Sequence, residues 1–365
     1  MNKKPVNPKA SAEACALLEY FYSIKGKQTL SAQHDFLASG TKYCDRIKEL
    51  TGHKPAIWGS DLGFCFKGAN PEPNKHCGPM NLIDPGLAVT ASDLQFAARD
   101  MSAEFPDGFP EKTPDEMIVA GVTPPVMRQA LVERIKKQHA KGHIITLMWH
   151  ALAPGNNDCG PYEQLWMHGG LPKDQWEELI TPGTELHMKW QAEVDAIAVY
   201  LKQLCDAGIP VLWRPYHEMN GVWFWWCNQP GPRGYQQLWI QLYERLTMHH
   251  KLNNLLWVWN AHAPRDRKND EAYPYPDFYP GAKYVDILAT DIYRRDYQQS
   301  HYADLVALAD GKPVALAEVG ELPPDEALDR QPWAWVMPWG HLGFLFNTQA
   351  EIKAFYRRTD VRSLD

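Results

Sequence analysis

No run in the 365 residues approaches the roughly 18 consecutive apolar residues of a membrane span, which sets aside an integral helical membrane protein. Positive charge is also scarce. The 37 Lys+Arg against 44 Asp+Glu leave −7, so neither a nucleic acid nor an anionic membrane surface is an expected partner. The seven cysteines, Cys15, Cys44, Cys65, Cys77, Cys159, Cys205 and Cys227, include no CxxC pair, which excludes a zinc ribbon and a thioredoxin-like motif. Their odd number leaves at least one thiol unpaired. Cys65 and Cys77 bracket a Pro/Gly/Asn-rich stretch that a disulfide would close in an exported protein, and reduced thiols fit the spacing equally well. The first residues, MNKKPVNPKAS, carry two lysines with no apolar stretch behind them and do not read as a secretory leader. A GxGxxG phosphate turn is missing after the first strand pattern, and there is no GxSxG nucleophile elbow. The HE pair at His217 and Glu218 lacks the second His of HExxH, because position 221 is Gly221. No linker, repeat or low-complexity tract divides the chain, so residues 1–365 are expected to form a single domain.

Aromatics are abundant instead: Trp 15, Tyr 16 and Phe 12. Trp near Pro and Gly at loop edges offers flat faces for CH-π contact with a sugar ring, and the other reading is a Trp-rich core. Eight short runs rich in β-branched, aromatic and small residues recur at 28–34, 55–62, 143–150, 210–218, 255–262, 285–293, 313–320 and 333–340. Helical apolar spacing fills several of the intervals, as in 10–24, 123–142, 185–208 and 234–250. Strand and helix in alternation, eight times over, predict a single (β/α)8 barrel of parallel strands, with the 63–142 stretch as an elaborated loop. In such a barrel chemistry is expected at the C-terminal strand ends. The polar residues stand there: His34, Asp61, His150, His217 and Glu218, Asn260 and His262, Asp291 and Tyr293, Glu318, with Trp339 at the eighth.

Two of these are carboxylates closing apolar runs, Glu218 after PVLWRPYH and Glu318 within PVALAEVG. An ionisable group in that position is costly unless it is paired or functional. Each alone fits a structural ion pair with Arg214 or a nearby His. As a pair facing each other across the mouth of a barrel, they fit glycoside hydrolysis, in which one carboxylic acid protonates the leaving oxygen and a second carboxylate attacks the anomeric carbon. That chemistry requires neither a metal nor an organic cofactor.

The stretch WRPYHEMNGVWFWW (213–226), with GYQQLWIQLYERLTMHHKLNNLLWVWN (234–260) and ALAEVG (315–320), closely resembles glycoside hydrolase family 26 from about His34 to Trp339. Most characterised members of that family are endo-β-1,4-mannanases, and others are β-1,3-1,4-glucanases and β-1,3-xylanases. A His before the acid/base, here His217, marks the family. The resemblance implies a retaining double displacement with Glu218 as acid/base and Glu318 as nucleophile. It also implies hydrogen bonds to sugar hydroxyls from His150 and His217, and stacking by Trp223 and Trp339. Hydrogen bonds from Tyr293 and Arg214 are expected to lower the pKa of Glu318, whereas Glu218 needs a raised one. Asp291 and Asp61 are candidates for ligand contact or for support behind it, Trp166 for a distal subsite, and Trp225 and Trp226 for packing of the loop. The expected substrate is mannan, the expected state a monomer, and the expected location secreted or periplasmic because the polymer cannot enter a cell. A non-catalytic carbohydrate-binding barrel is the rival from another class, and the presence of both carboxylates argues against it.

Overall fold

A computed structural model describes residues 3–37, 39–66, 81–84, 118–120, 124–155, 160 and 162–364. Eight strands lie where the recurrent runs predict them: β1 (Thr29–His34), β2 (Ile57–Asp61), β3 (Ile144–Trp149), β4 (Val211–Pro215), β5 (Leu255–His262), β6 (Ile287–Ile292), β7 (Val314–Val319) and β8 (Trp335–Pro338). Each pairs in parallel with the next, and β8 returns to β1 through Leu30 against Trp335, which closes a (β/α)8 barrel. Closure removes sheet edges, and helices on the outside bury the second face, so the strands are apolar on both sides.

Alternation along the strands sorts the side chains. Leu30, Ala32, Ile57, Leu212, Leu256, Val258, Ile287, Ala289, Ala315, Ala317, Trp335 and Met337 fill the barrel interior. They meet Ala14, Leu18, Phe21 and Ile24, the buried stripe of the helix Ala12–Ile24 that precedes β1. Ser11 caps that helix by accepting from the Ala14 N–H, fixing where it starts. Outward-facing Trp58, Leu147, Trp213, Trp257, Trp259, Leu316 and Val336 join the larger cluster under the outer helices. The longest of these, Glu185–Asp206, is capped by Thr184 and buries Trp190, Val194, Ile197, Leu201 and Leu204 at helical spacing. Trp58, Trp149, Trp190, Trp213, Trp225, Trp226, Trp239, Trp257, Trp259, Trp333, Trp335 and Trp339 are each less than 2% exposed, so most of the tryptophan surplus is core.

Three departures from a regular barrel matter. The stretch after β2 carries a small parallel sheet of Phe64–Phe66, Asn81–Asp84 and Ile118–Ala120, and most of the rest of 63–123, including Cys77, lies outside the described residues. After β5 the connection uses two 3-10 turns, Tyr275–Phe278 and Ala282–Tyr284, in place of a helix. The predicted helix over 234–250 forms, but it changes from α (Tyr235–Tyr243) to π pitch (Glu244–His249). Among the described residues no helix is long and apolar enough to cross a membrane.

Candidate active site

Strict alternation would turn Glu318 outward, since Ala317 already points in. The register between β6 and β7 slips by one residue here: Thr290 pairs with Leu316, and Asp291 pairs with Glu318. Ala317 is the extra residue of a bulge, and the bulge rotates the carboxylate of Glu318 into the mouth.

Glu218 is aimed by strain. The chain leaving β4 takes left-handed backbone at Tyr216 (φ 47°) and Glu218 (φ 54°). Such a conformation costs on the order of 1–3 kcal/mol per non-glycine residue and persists only when the surroundings over-determine it. They do so here. Tyr235 Oη donates to Tyr216 O at 3.0 Å, Trp226 Nε1 to His217 O at 2.7 Å and Glu218 N to Asn260 O at 2.8 Å. Gly221 N and Cys227 Sγ close on Glu218 O at 2.9 and 3.2 Å. Trp225 Nε1 ties the same loop to Ala151 O at 2.8 Å. The Trp-rich segment therefore splints the elbow, with Trp225 and Trp226 packing the loop as expected.

Around the two carboxylates the donors are specific. Trp223 Nε1 donates to Glu218 Oε2 at 2.7 Å, and Tyr293 Oη donates to Glu318 Oε2 at 2.9 Å. Arg214 Nη1 and His217 Nε2 each lie 3.5 Å from Glu318 Oε1. Arg214 also donates to Asn260 Oδ1, and Asn260 Nδ2 donates to Asp291 Oδ1 at 2.9 Å, so strands β4 to β7 share one network. His150 Nδ1 meets Asp61 Oδ2 at 2.6 Å, which leaves Nε2 for the mouth. Asp61 is fully buried behind His150; it supports that ring and does not reach the open site. The His150 and His217 rings pack edge to face at 4.4 Å.

Burial controls the protonation states. It pushes Glu218 up to about 7 against the pull of Arg265 and the Trp223 N–H. It also raises Glu318 to about 7, which corrects the expectation of a lowered value: Arg214 and Tyr293 do favour the anion, but loss of water and the charge of Glu218 outweigh them. Asp291 rises well above the usual carboxylate range through burial and the charges of Glu318 and Glu218. For Asp61 burial acts in the same direction, yet the His150 charge and the N–H donors of His150 and Gly63 hold it below that range. Burial keeps His217 neutral, reinforced by His150 and Arg214.

The structure thus brings Glu218, Glu318, His150, His217, Arg214, Tyr293, Asp291 and Trp223 around one mouth. Trp339 is also there, but His34 stacks on its ring at a centroid distance of 4.0 Å, so one face is already covered. Trp166 lies further out, half-buried, edge-on to Phe224 at 5.9 Å. Two groups of residues place possible ligand atoms within 4.8 Å of one another among the described residues: His217, Asp291 and Glu318 in the mouth, and Asp195, His249 and His250 outside the barrel. Each has a guanidinium against its carboxylate, Arg214 and Arg245 respectively, and a fixed positive charge opposes a cation there. Sequence reasoning placed His34, Asn260 and His262 at strand ends without assigning them a part, and Arg265 and Phe224 were not singled out. The signal for Arg265 was weak, a position three residues beyond the end of β5.

Residues 119–360 match the family described as Glycosyl hydrolase family 26. The chain is 30% identical over 378 residues to a mannan endo-1,4-beta-mannosidase of Thermothelomyces thermophilus, covering 100% of this chain and 63% of that protein. Against mannan endo-1,4-beta-mannosidase A of Piromyces sp the figures are 31% identity over 63% of this chain and 36% of the relative, so the chain spans less than two thirds of either. Among solved structures, GH26A of a Muricauda species superposes with a TM-score of 0.77 at 37% identity over 98% of both chains. The Podospora anserina GH26-CBM35 beta-(1,4)-mannanase gives 0.69 at 28% identity over 100% of this chain and 68% of that one. With the match spanning strands β3 to β8 and the fold shared end to end, the chain belongs to glycosyl hydrolase family 26.

Proposed function

We propose that the protein is a retaining, endo-acting β-1,4-mannanase that works outside the cytoplasm, where its polymeric substrate is found. The observation that carries this reading is the buried pair Glu218 and Glu318, each with its own donor and each facing the same mouth. The relatives of Thermothelomyces thermophilus and Piromyces sp, both mannan endo-1,4-beta-mannosidases, support mannan as the substrate. In the first half-reaction, Glu318 attacks the anomeric carbon while Glu218 passes its proton to the glycosidic oxygen, and the C–O bond to the leaving sugar breaks. Arg214 and Tyr293 stabilise the Glu318 anion before attack. Once the glycosyl-enzyme forms, Glu318 carries no charge, the proton affinity of Glu218 falls, and Glu218 takes a proton from water attacking the same carbon as the ester bond to Glu318 breaks and its carboxylate returns to Arg214 and Tyr293. Configuration is thereby retained. Reducing-sugar release from linear mannan, galactomannan, mixed-linkage glucan and β-1,3-xylan, with Glu318→Ala as the blank, tests the proposal. Release from the two mannans alone is expected. Release only from glucan or xylan would overturn the substrate, and silence on all four would overturn the enzymatic reading.

A further inference from the structure

The side of Glu218 closed by Trp223 is backed by a cation. The Arg265 guanidinium lies over the Trp223 ring, 5.2 Å from its centroid, on the indole whose N–H is bonded to Glu218 Oε2. Three of its five N–H groups are bonded: Nη1 to His262 Nε2 at 2.8 Å, Nε to Asp270 O at 2.7 Å and Nη2 to the Asp270 carboxylate. Asp270 is gripped from its other side by Arg294 at 2.6 Å. Arg265 and Ala272 exchange backbone hydrogen bonds at 2.9 and 3.0 Å, which folds 265–272 into a clamp, and Tyr273 N ties that clamp to Asn220 O at 2.8 Å. Asn220 Oδ1 accepts from His262 N at 2.8 Å, and the His262 ring stands edge-on to Trp223 at 5.4 Å. Every contact points the same way: the loop after β5 fixes a cation behind the indole that touches the acid/base.

Resting on the assignment of Glu218 as acid/base, we propose that Arg265 is a positioning residue for it, holding Trp223 against Glu218 and lending a positive charge that eases the departure of its proton. Cation–π contact holds the indole, and the charge stabilises the carboxylate left on Glu218 after its proton has gone to the leaving oxygen. Beside Arg214, His217 and His262 at the same mouth, the groups acting on Glu218 are Arg265 and Asp270 from the loop after β5, Asp291 and Tyr293 from β6 and its end, and Glu318 from β7. Of these, Arg214 is engaged by Glu318 and Asn260, and His262 and His217 are held neutral by burial, which leaves Arg265 as the leading cation acting on Glu218. Asp270 acts on Glu218 with the opposite sign.

Two substitutions with opposite charge consequences test this. The pH dependence of kcat/KM is measured for Arg265→Met and Asp270→Asn on mannan oligosaccharide. The alkaline limb is expected to move up by about one pH unit in Arg265→Met and down in Asp270→Asn, the size of a single charge acting through a partly wet interior. Arg265→Lys is expected to restore the limb towards its original position. Limbs that stay put, or that move together in one direction, would overturn the proposal, because loss of structure alone has no reason to reverse sign with charge. Undiminished cleavage of the same oligosaccharide by Glu218→Ala would instead overturn the acid/base assignment itself.

Discussion

The Tyr293 hydroxyl donates 2.9 Å to an oxygen of Glu318 in a site nearly closed to water. A hydrogen bond to a charged group is worth about 1.5–3 kcal/mol. Tyr293→Phe is therefore expected to lower kcat by roughly 10- to 100-fold with little change in KM, and steady-state kinetics with wild-type kcat would show that the hydroxyl does not stabilise the anion. At this scale the sequence was informative where a residue is expensive: a carboxyl at the end of PVLWRPYH or within PVALAEVG demands a reason. It was less informative about protonation. Tyr293 and Arg214 are visible as partners of Glu318, but the depth to which the site is buried is a property of the folded mouth, and it reverses the expected direction. The pairing of Asp61 with His150, and of His34 with Trp339, joins residues from different strands that no local pattern connects.

At the scale of elements, the site depends on two local irregularities. One is the bulge at Ala317, and the other the left-handed elbow of Tyr216 and Glu218. Gly221 belongs to the second: a Cβ on it would meet the Trp223 ring at Cζ2, Cη2 and Cε2, well inside contact distance. Gly221→Ala is expected to push the indole off Glu218 and to reduce kcat/KM on unactivated substrate by at least about 10-fold, the loss of one charge-assisted hydrogen bond. Intact activity, read by the same kinetics, would show that the indole need not lie there. The eight strands were legible because each is a short apolar run between turn and helix signals. The bulge was not, since Val-Ala-Leu-Ala-Glu-Val alternates smoothly on paper. The sheet of 64–66, 81–84 and 118–120 also escaped, because three- and four-residue strands carry too few residues for a period. After β5, a segment with four prolines, Pro264, Pro274, Pro276 and Pro280, turns into 3-10 pieces where a helix would have been routine.

Across the whole molecule, the barrel holds its chemistry at one end and is stoppered at the other. Helix Ala12–Ile24 supplies the stopper, with Phe21 fully buried and 5.4 Å from the ring of Trp335. Phe21→Ala is expected to cost about 3–5 kcal/mol of stability, read from denaturant unfolding, while leaving kcat near wild type in the folded fraction. A loss below about 1 kcal/mol would mean the stopper contributes little to the barrel. The mouth at the opposite end holds Glu218, Asp291 and Glu318 in one buried space, and the central proposal is a division of labour between Glu218 and Glu318. The most direct measurement is covalent trapping: incubation with an activated 2-deoxy-2-fluoro β-mannoside, digestion, and mass spectrometry of the peptides. With Glu318 as nucleophile, one glycosyl group is found on the peptide containing Glu318 and on that residue. A label on Glu218 or elsewhere, or release of product with inverted configuration, would contradict it.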